Sequence, residues 1–190
     1  MAMNLLTALD LRRSTPSRLL GEPAPAPDQL QRLLVAASRV PDHGKLVPWR
    51  FLLIQGDTRQ VLGDLLASRT LERDPQASPA VVEKDRMRFQ FAPLIVTVIG
   101  RLTPGHKVPE QEQLLSGGAV CFALLQAAQG MGFGAQWLTG WAAYDPAITQ
   151  RLGLAANETV LGFIHIGTPK EAAPERDRPD VVALTSDLHL

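Results

Sequence analysis

The chain has 190 residues, with 19 basic and 19 acidic side chains and one cysteine. Balanced charge excludes an electrostatic case for nucleic acid or an anionic membrane surface. A lone cysteine excludes an internal disulfide and a cysteine-built metal site, and it fits a reducing, cytoplasmic setting. Residues 1–190 read as a single domain, long enough to bury about 70% of its unfolded surface.

Met1–Leu5 carries no basic run ahead of an apolar stretch, so no signal peptide is expected. Met3–Arg12 predicts a short helix with Leu5, Leu6 and Leu9 on one face. Pro23, Pro25 and Pro27 enforce an extended connection. Asp28 then caps a helix reaching about Arg39, with Leu30, Leu33, Leu34 and Ala37 as its apolar stripe. Pro41–Lys45 is a polar loop. Trp49–Gln55 predicts a mostly buried strand, Asp57 and Thr58 open a helix to about Leu71, and Ala80–Gln90 predicts an exposed, charged helix.

Pro93–Gly100 is β-branched and apolar throughout, the pattern of a central strand covered on both faces. Glu110–Met131 is the longest predicted helix, and its middle, Gly118–Leu125, is apolar on every side. In a domain this small that implies burial against a second subunit as well as the sheet. The apolar runs 92–100 and 117–128 are too short to span a bilayer. Gly130, Gly132 and Gly134 end the helix. Ala135–Thr139 predicts a short strand, Asp145 and Pro146 start a helix to Leu152, and Thr159–Gly167 predicts another buried strand. Residues 170–190 form an extended tail, charged and then apolar at Val181, Val182, Leu184, Leu188 and Leu190, expected to dock on a partner. Helices precede the first strand, so the order suits an α+β sheet flanked by helices rather than a doubly wound one.

Several residues carry chemistry. Arg12, Arg13, Ser14, Thr15, Ser17 and Arg18 concentrate three guanidiniums and three hydroxyls at a helix end. Such a knot suits a phosphate and equally suits a solvated C-terminus favoured by the helix dipole. His43 lies in a loop before a buried strand, where either a site residue or a turn-tying histidine fits. His165 reads as a satisfied core residue and Cys121 as a small apolar filler. No histidine pair has metal-ligand spacing, no metal site is expected, and no Gly-x-Ser-x-Gly elbow occurs. Gly130-Met131-Gly132-Phe133-Gly134 follows a helix, the wrong order for a dinucleotide fingerprint.

Taken in order, Arg12-Arg13-Ser14, Arg39-x-Pro41-Asp42-His43, Pro48-Trp49-Arg50-Phe51, Gly130–Gly140 and Gly162–Pro169 resemble the nitroreductase-like FMN flavoprotein family, especially its compact bacterial branch of NAD(P)H nitroreductases. The resemblance runs from about Leu5 to Pro169. It implies an α+β fold with a central mixed sheet, and a domain-swapped homodimer built on the long helix with two shared FMN sites. It further implies hydride transfer from NAD(P)H through FMN to a nitroaromatic, quinone or other acceptor, with no catalytic side chain required. By position, Arg12, Arg13 and Ser14 resemble the clamp on the FMN phosphate and ribityl chain. Arg39 and His43 resemble residues that reach the flavin of the other chain. Trp137, Leu138, Thr139 and Gly140 resemble the segment against the ring, and Lys170 a further phosphate ligand. Ala127, Ala128, Gln129, Gly130, Met131 and Gly132 resemble the nicotinamide-nucleotide stretch. A cation beside the ring is expected from Arg13, Arg18 or Arg39. Two positions depart from the pattern: Val47 stands where many relatives have Gln, and Leu138 where close relatives have Arg. The latter departure motivates a rival reading, a flavin-storage or flavin-remodelling protein of the same fold without NAD(P)H turnover; a flavin-free dimeric scaffold is a third reading.

Overall fold

A computed structural model describes residues 5–189; Met3, Asn4 and Leu190 of the expected elements lie outside them. The elements are α1 (Leu5–Asp10), β1 (Leu20–Gly21), α2 (Pro27–Ala37), β2 (Trp49–Gln55), α3 (Thr58–Arg73), α4 (Pro79–Met87), β3 (Leu94–Arg101), α5 (Glu110–Gly130), β4 (Gly134–Leu138), α6 (Pro146–Arg151) and β5 (Glu158–Pro169). Short 3-10 turns lie at Ser17–Leu19, His43–Lys45, Trp141–Ala143 and Val182–Leu184.

The main strands run in the order β2-β3-β5-β4, because Ile166 of β5 faces Leu94 of β3 on one side and Ala135 of β4 on the other. β1 pairs only with the end of β5, through Leu20↔Pro169 and Gly21↔Thr168. Every pairing among the described residues is antiparallel, where a mixed sheet was expected. The period-2 alternation of β3 splits the core. Leu94, Val96 and Val98 meet Leu33 and Ala37 of α2 and Val120, Leu124 and Ala128 of α5. Ile95 belongs to the opposite cluster, with Leu62 and Leu66 of α3, Phe89, Ile148 of α6 and Phe163. β3 is buried from Leu94 through Gly100, as its apolar run requires.

Several local expectations change. Asp28 lies in the first turn of α2; the cap position belongs to Ala26, whose N–H donates to Gln29 Oε1 at 2.9 Å, with Pro27 pre-set at the first helical position. β2 is half-buried in its middle rather than mostly buried. Leu5, Leu6 and Leu9 of α1 point outward, as do Leu115 (65% exposed) and Phe122 (42%) on α5, so the long helix buries only one side within its own chain. The tail residues Val181, Val182, Leu184 and Leu188 are also exposed. No helix of the described residues is long and apolar enough to cross a membrane.

One irregularity positions the site. Between Val98↔Gly162 and Ile99↔Val160, β5 carries an extra residue, Leu161. Its carbonyl accepts the Trp137 indole N–H at 3.0 Å. The indole lies on Gly162, where a Cβ would stand 2.2 Å from Nε1.

Candidate functional site

After α1 the chain runs along the outer edge of β4. Thr15 N–H donates to the Ala135 carbonyl at 3.0 Å. Ser17 N–H donates to Gln136 Oε1 at 2.6 Å, and Arg13 N–H to Gln129 Oε1 at 3.2 Å at the end of α5. Arg13 Nη1 caps two carbonyls, Asp10 at 2.7 Å and Arg12 at 2.9 Å, where the helix end leaves acceptors open. Arg12 Nη1 donates to Ser14 Oγ at 3.3 Å.

The tail returns to the same edge. Arg178 Nη2 donates to the Arg12 carbonyl at 3.3 Å, and Glu175 pairs with Arg13. The result is a cleft of about 280 Å³ lined by Arg12, Arg13, Ser14, Gln136, Trp137, Pro174, Arg176 and Arg178. Four guanidiniums and a hydroxyl converge there, a donor set suited to a phosphate.

Beyond the last ladder pair of β4, Leu138↔Phe163, come Thr139 and Gly140. Gly140 has φ 65°, a left-handed position that favours glycine. Any Cβ there would also stand 2.6 Å from Arg88 Nη1. Arg88 is anchored at 2.8 Å to Asp85 Oδ1, and Asp85 Oδ2 accepts from Thr70 Oγ1 at 2.8 Å. Asp85 is buried although its helix was expected to be exposed, because α4 packs it against α3. A fixed cation therefore sits at the outlet of β4. Leu138 faces the Phe163 side of the sheet.

The other candidates divide. Gln129 and Gly132 line a second cleft of about 600 Å³ with Arg13, Thr15 and Phe133. Ala128 is buried, Ala127 and Met131 are half-buried, and Gly130 is exposed, so the stretch 127–132 does not present one face. Lys170 is exposed, its stem lying over Gly21 and not in the four-arginine cleft. Arg18 is exposed and lines no part of that cleft either.

Arg39 and His43 stand at the opposite end of α5, both exposed. His43 Nδ1 lies 2.6 Å from Glu112 Oε2, and Ser116 Oγ donates to the Pro41 carbonyl at 2.9 Å. In the same loop Lys45 (φ 55°) and Val47 (φ 48°) are left-handed, an uncommon state for a β-branched residue. Asp42 Oδ2 holds the turn by accepting from Val47 N–H at 2.8 Å. Glu112 and Gln129 are seventeen residues apart on α5, roughly 25 Å at the helical rise. One chain therefore does not bring the Arg12 group and the His43 group together.

His165 is in the core but is not satisfied: neither ring nitrogen has a hydrogen-bond partner. Burial, and then the charge of Arg88, lower its pKa to about 4, so it is neutral beside Phe89. Burial pushes the Cys121 thiol up to about 12, an inert filler. No cluster of metal-ligating side chains occurs among the described residues.

Sequence reasoning missed Arg88, Gln136, Glu175, Arg176 and Arg178. Arg-x-Arg ahead of Pro179, after the last strand, was the available signal for the tail pair; Arg88 had none, since it sits in a helix that reads as solvated.

Comparisons with known proteins agree on one family. Residues 10–168 match the model of the Nitroreductase family. The chain is 35% identical over 179 residues, covering 94% of this chain and 96% of the other, to the Escherichia coli protein named “Putative NAD(P)H nitroreductase YdjA”. Its fold matches the nitroreductase-like family protein from Bacillus cereus with a TM-score of 0.82 at 22% identity, covering 99% and 97% of the two chains. It also matches the FMN and NADPH-dependent nitroreductase NfnB from Sphigopyxis sp. strain HMH with a TM-score of 0.80 at 16% identity, covering 99% and 100%.

Proposed function

Because the chain belongs to the nitroreductase family, we propose that it is an FMN-dependent NAD(P)H oxidoreductase acting on nitroaromatic, quinone or related acceptors, as a homodimer with two shared sites. The observation that carries this reading is the cleft at the edge of β4, where Arg12, Arg13, Arg176, Arg178 and Ser14 face one small space beside Trp137. This donor set fits a phosphate monoester, and the adjoining Trp137–Gly140 segment offers a flat aromatic and exposed backbone to a planar ring.

When bound, FMN supplies the redox chemistry, accepting two electrons from a nicotinamide and passing them to an acceptor in a ping-pong cycle. The protein's part is binding, orientation and charge. The arginines and Ser14 hold the phosphate. Trp137, Leu138, Thr139 and Gly140 orient the ring. Arg88, fixed by Asp85 against Gly140, supplies the cation that stabilises negative charge on the ring. Within one chain this role falls to Arg88, fixed beside Gly140, rather than to the exposed Arg18; Arg39 approaches a flavin only from the second copy.

The dimer is supported by what one chain leaves uncovered. Leu5, Leu6 and Leu9 of α1, Leu115 and Phe122 of α5, and the apolar tail all face outward, apolar surface suited to burial against a second copy. A two-fold axis pairing α5 antiparallel with its copy sets the His43 end of one chain beside the arginine end of the other. Arg39 and His43 then reach the second copy's flavin.

The visible spectrum of the purified protein tests the reading. Two flavin bands, with FMN released on denaturation and bleaching on addition of NADPH or NADH, are expected. A protein that stays colourless after incubation with FMN contradicts it. A yellow protein that neither nicotinamide bleaches favours the storage or remodelling reading.

A further inference from the structure

Among the described residues, Glu175 is the carboxylate that pairs with arginines lining the four-arginine cleft. Its Oε2 accepts from Arg13 Nη2. Its Oε1 accepts from the Arg176 N–H at 2.9 Å and from Arg178 Nη2 at 3.3 Å. These donors, first the Arg176 N–H and then Arg13, hold its carboxyl below the ordinary carboxylate range. The side chain is 64% exposed, on a segment bracketed by Pro174 and Pro179, with no regular element to fix it. It is thus an exposed monoanion on the donors that the proposed function assigns to a phosphate.

We propose that Glu175 is a built-in competitor for the phosphate, setting both the strength and the selectivity of flavin binding; this rests on the FMN reading above. A carboxylate carries one negative charge and two acceptor oxygens. A phosphate monoester at neutral pH carries between one and two charges and three acceptor oxygens. The phosphate therefore satisfies Arg13 and Arg178 better than Glu175 does, and Glu175 swings outward on binding. An anion of single charge gains little by the exchange. Arginines left without a carboxylate would attract any anion; Glu175 confines the cleft to dianionic phosphate monoesters.

The opposite role, a scaffold holding the arginines in place, makes the opposite forecast. Full-length protein freed of flavin is titrated with FMN and with riboflavin, which lacks the phosphate, following flavin fluorescence. With Glu175→Gln, FMN is expected to bind about two- to fivefold more tightly, the range for an exposed charged pair. FMN dissociation from the loaded protein slows in parallel, and riboflavin affinity is unchanged. Unchanged or weaker FMN binding overturns the proposal, and so does equal tightening of both flavins. If wild type binds riboflavin as tightly as FMN, the phosphate-clamp reading itself fails, and this arm is read from wild type alone.

Discussion

The two ends of α5 are built differently. At its C-terminal end, α1, β4 and the tail converge, and Gln129, Gln136 and the Arg12 carbonyl tie the arginine segments together by hydrogen bonds. At its N-terminal end, His43 and Glu112 pair on an exposed loop with Arg39 free at the surface. The first end is complete in one chain; the second has polar groups and left-handed backbone but nothing to act on. Strain held in an exposed loop implies that something over-determines it, and the outward apolar face of α5 lies between the two ends. The difference fits the proposed dimer, in which a second copy joins the two ends into one site.

Breaking the joint has the largest expected effect. Leu115→Glu with Phe122→Glu places charges on the outward face of α5. Sedimentation is expected to show a monomer, and flavin content to fall by about tenfold or more, since buried unpaired charge is prohibitive at such an interface. Flavin retained by a monomer breaks the comparison. Next, Arg13→Ala or Arg178→Ala removes a charged donor from the complete half-site. FMN affinity is expected to fall about ten- to hundredfold, with riboflavin affinity nearly unmoved.

Arg88 sharpens the account at the β4 outlet. Arg88→Ala is expected to lower the two-electron potential of bound FMN by roughly 30–60 mV, on the scale of about 1.4 kcal/mol per 30 mV. Arg88→Lys is expected to keep most of it, and spectroelectrochemistry with a reference dye measures both.

The smallest expected effect lies in the core behind Arg88. Folded His165 protonates only near pH 4 because of burial, whereas the unfolded chain takes up that proton near the ordinary histidine pKa of about 6.5. The unfolded state therefore binds more protons between the two values, and stability is lost as pH falls from about 6.5 to 4. The loss attributable to this residue is about 1–3 kcal/mol. Denaturant unfolding of His165→Leu is expected to lack that part of the slope and to cost little at neutral pH, since both ring nitrogens are unpaired.

Much of this was legible in the sequence. An uninterrupted β-branched run marked β3, an apolar run marked β5, and the all-round apolar middle of α5 announced a second surface to cover. The Arg12–Ser14 knot could be read because three donors fall together at a helix end. What was hidden depends on tertiary approach. Arg88 looks like one charge among many at the end of α4 until Gly140 is seen beside it. Arg176 and Arg178 lie in a tail with no periodic pattern, whereas Lys170, which follows a strand, packs on Gly21 instead. His165 reads as satisfied because buried polar groups are usually hydrogen-bonded; its neighbours Phe89 and Ile95 offer the ring no partner. The outward turn of Leu5, Leu6 and Leu9 could not be told from burial by periodicity alone, since a stripe shows a face and not what covers it.

Subunit complementation tests the joining of half-sites most directly. A chain carrying Arg13→Ala and Arg178→Ala is mixed, after mild denaturation and refolding, with a chain carrying Arg39→Ala and His43→Ala. If each site joins the arginine end of one chain to the His43 end of the other, mixed dimers regain one intact site of two, and about a quarter of wild-type FMN sites and NADPH-dependent turnover returns. If both ends serve the same chain's flavin, no mixed dimer has an intact site, and the mixture stays at the level of the two parents.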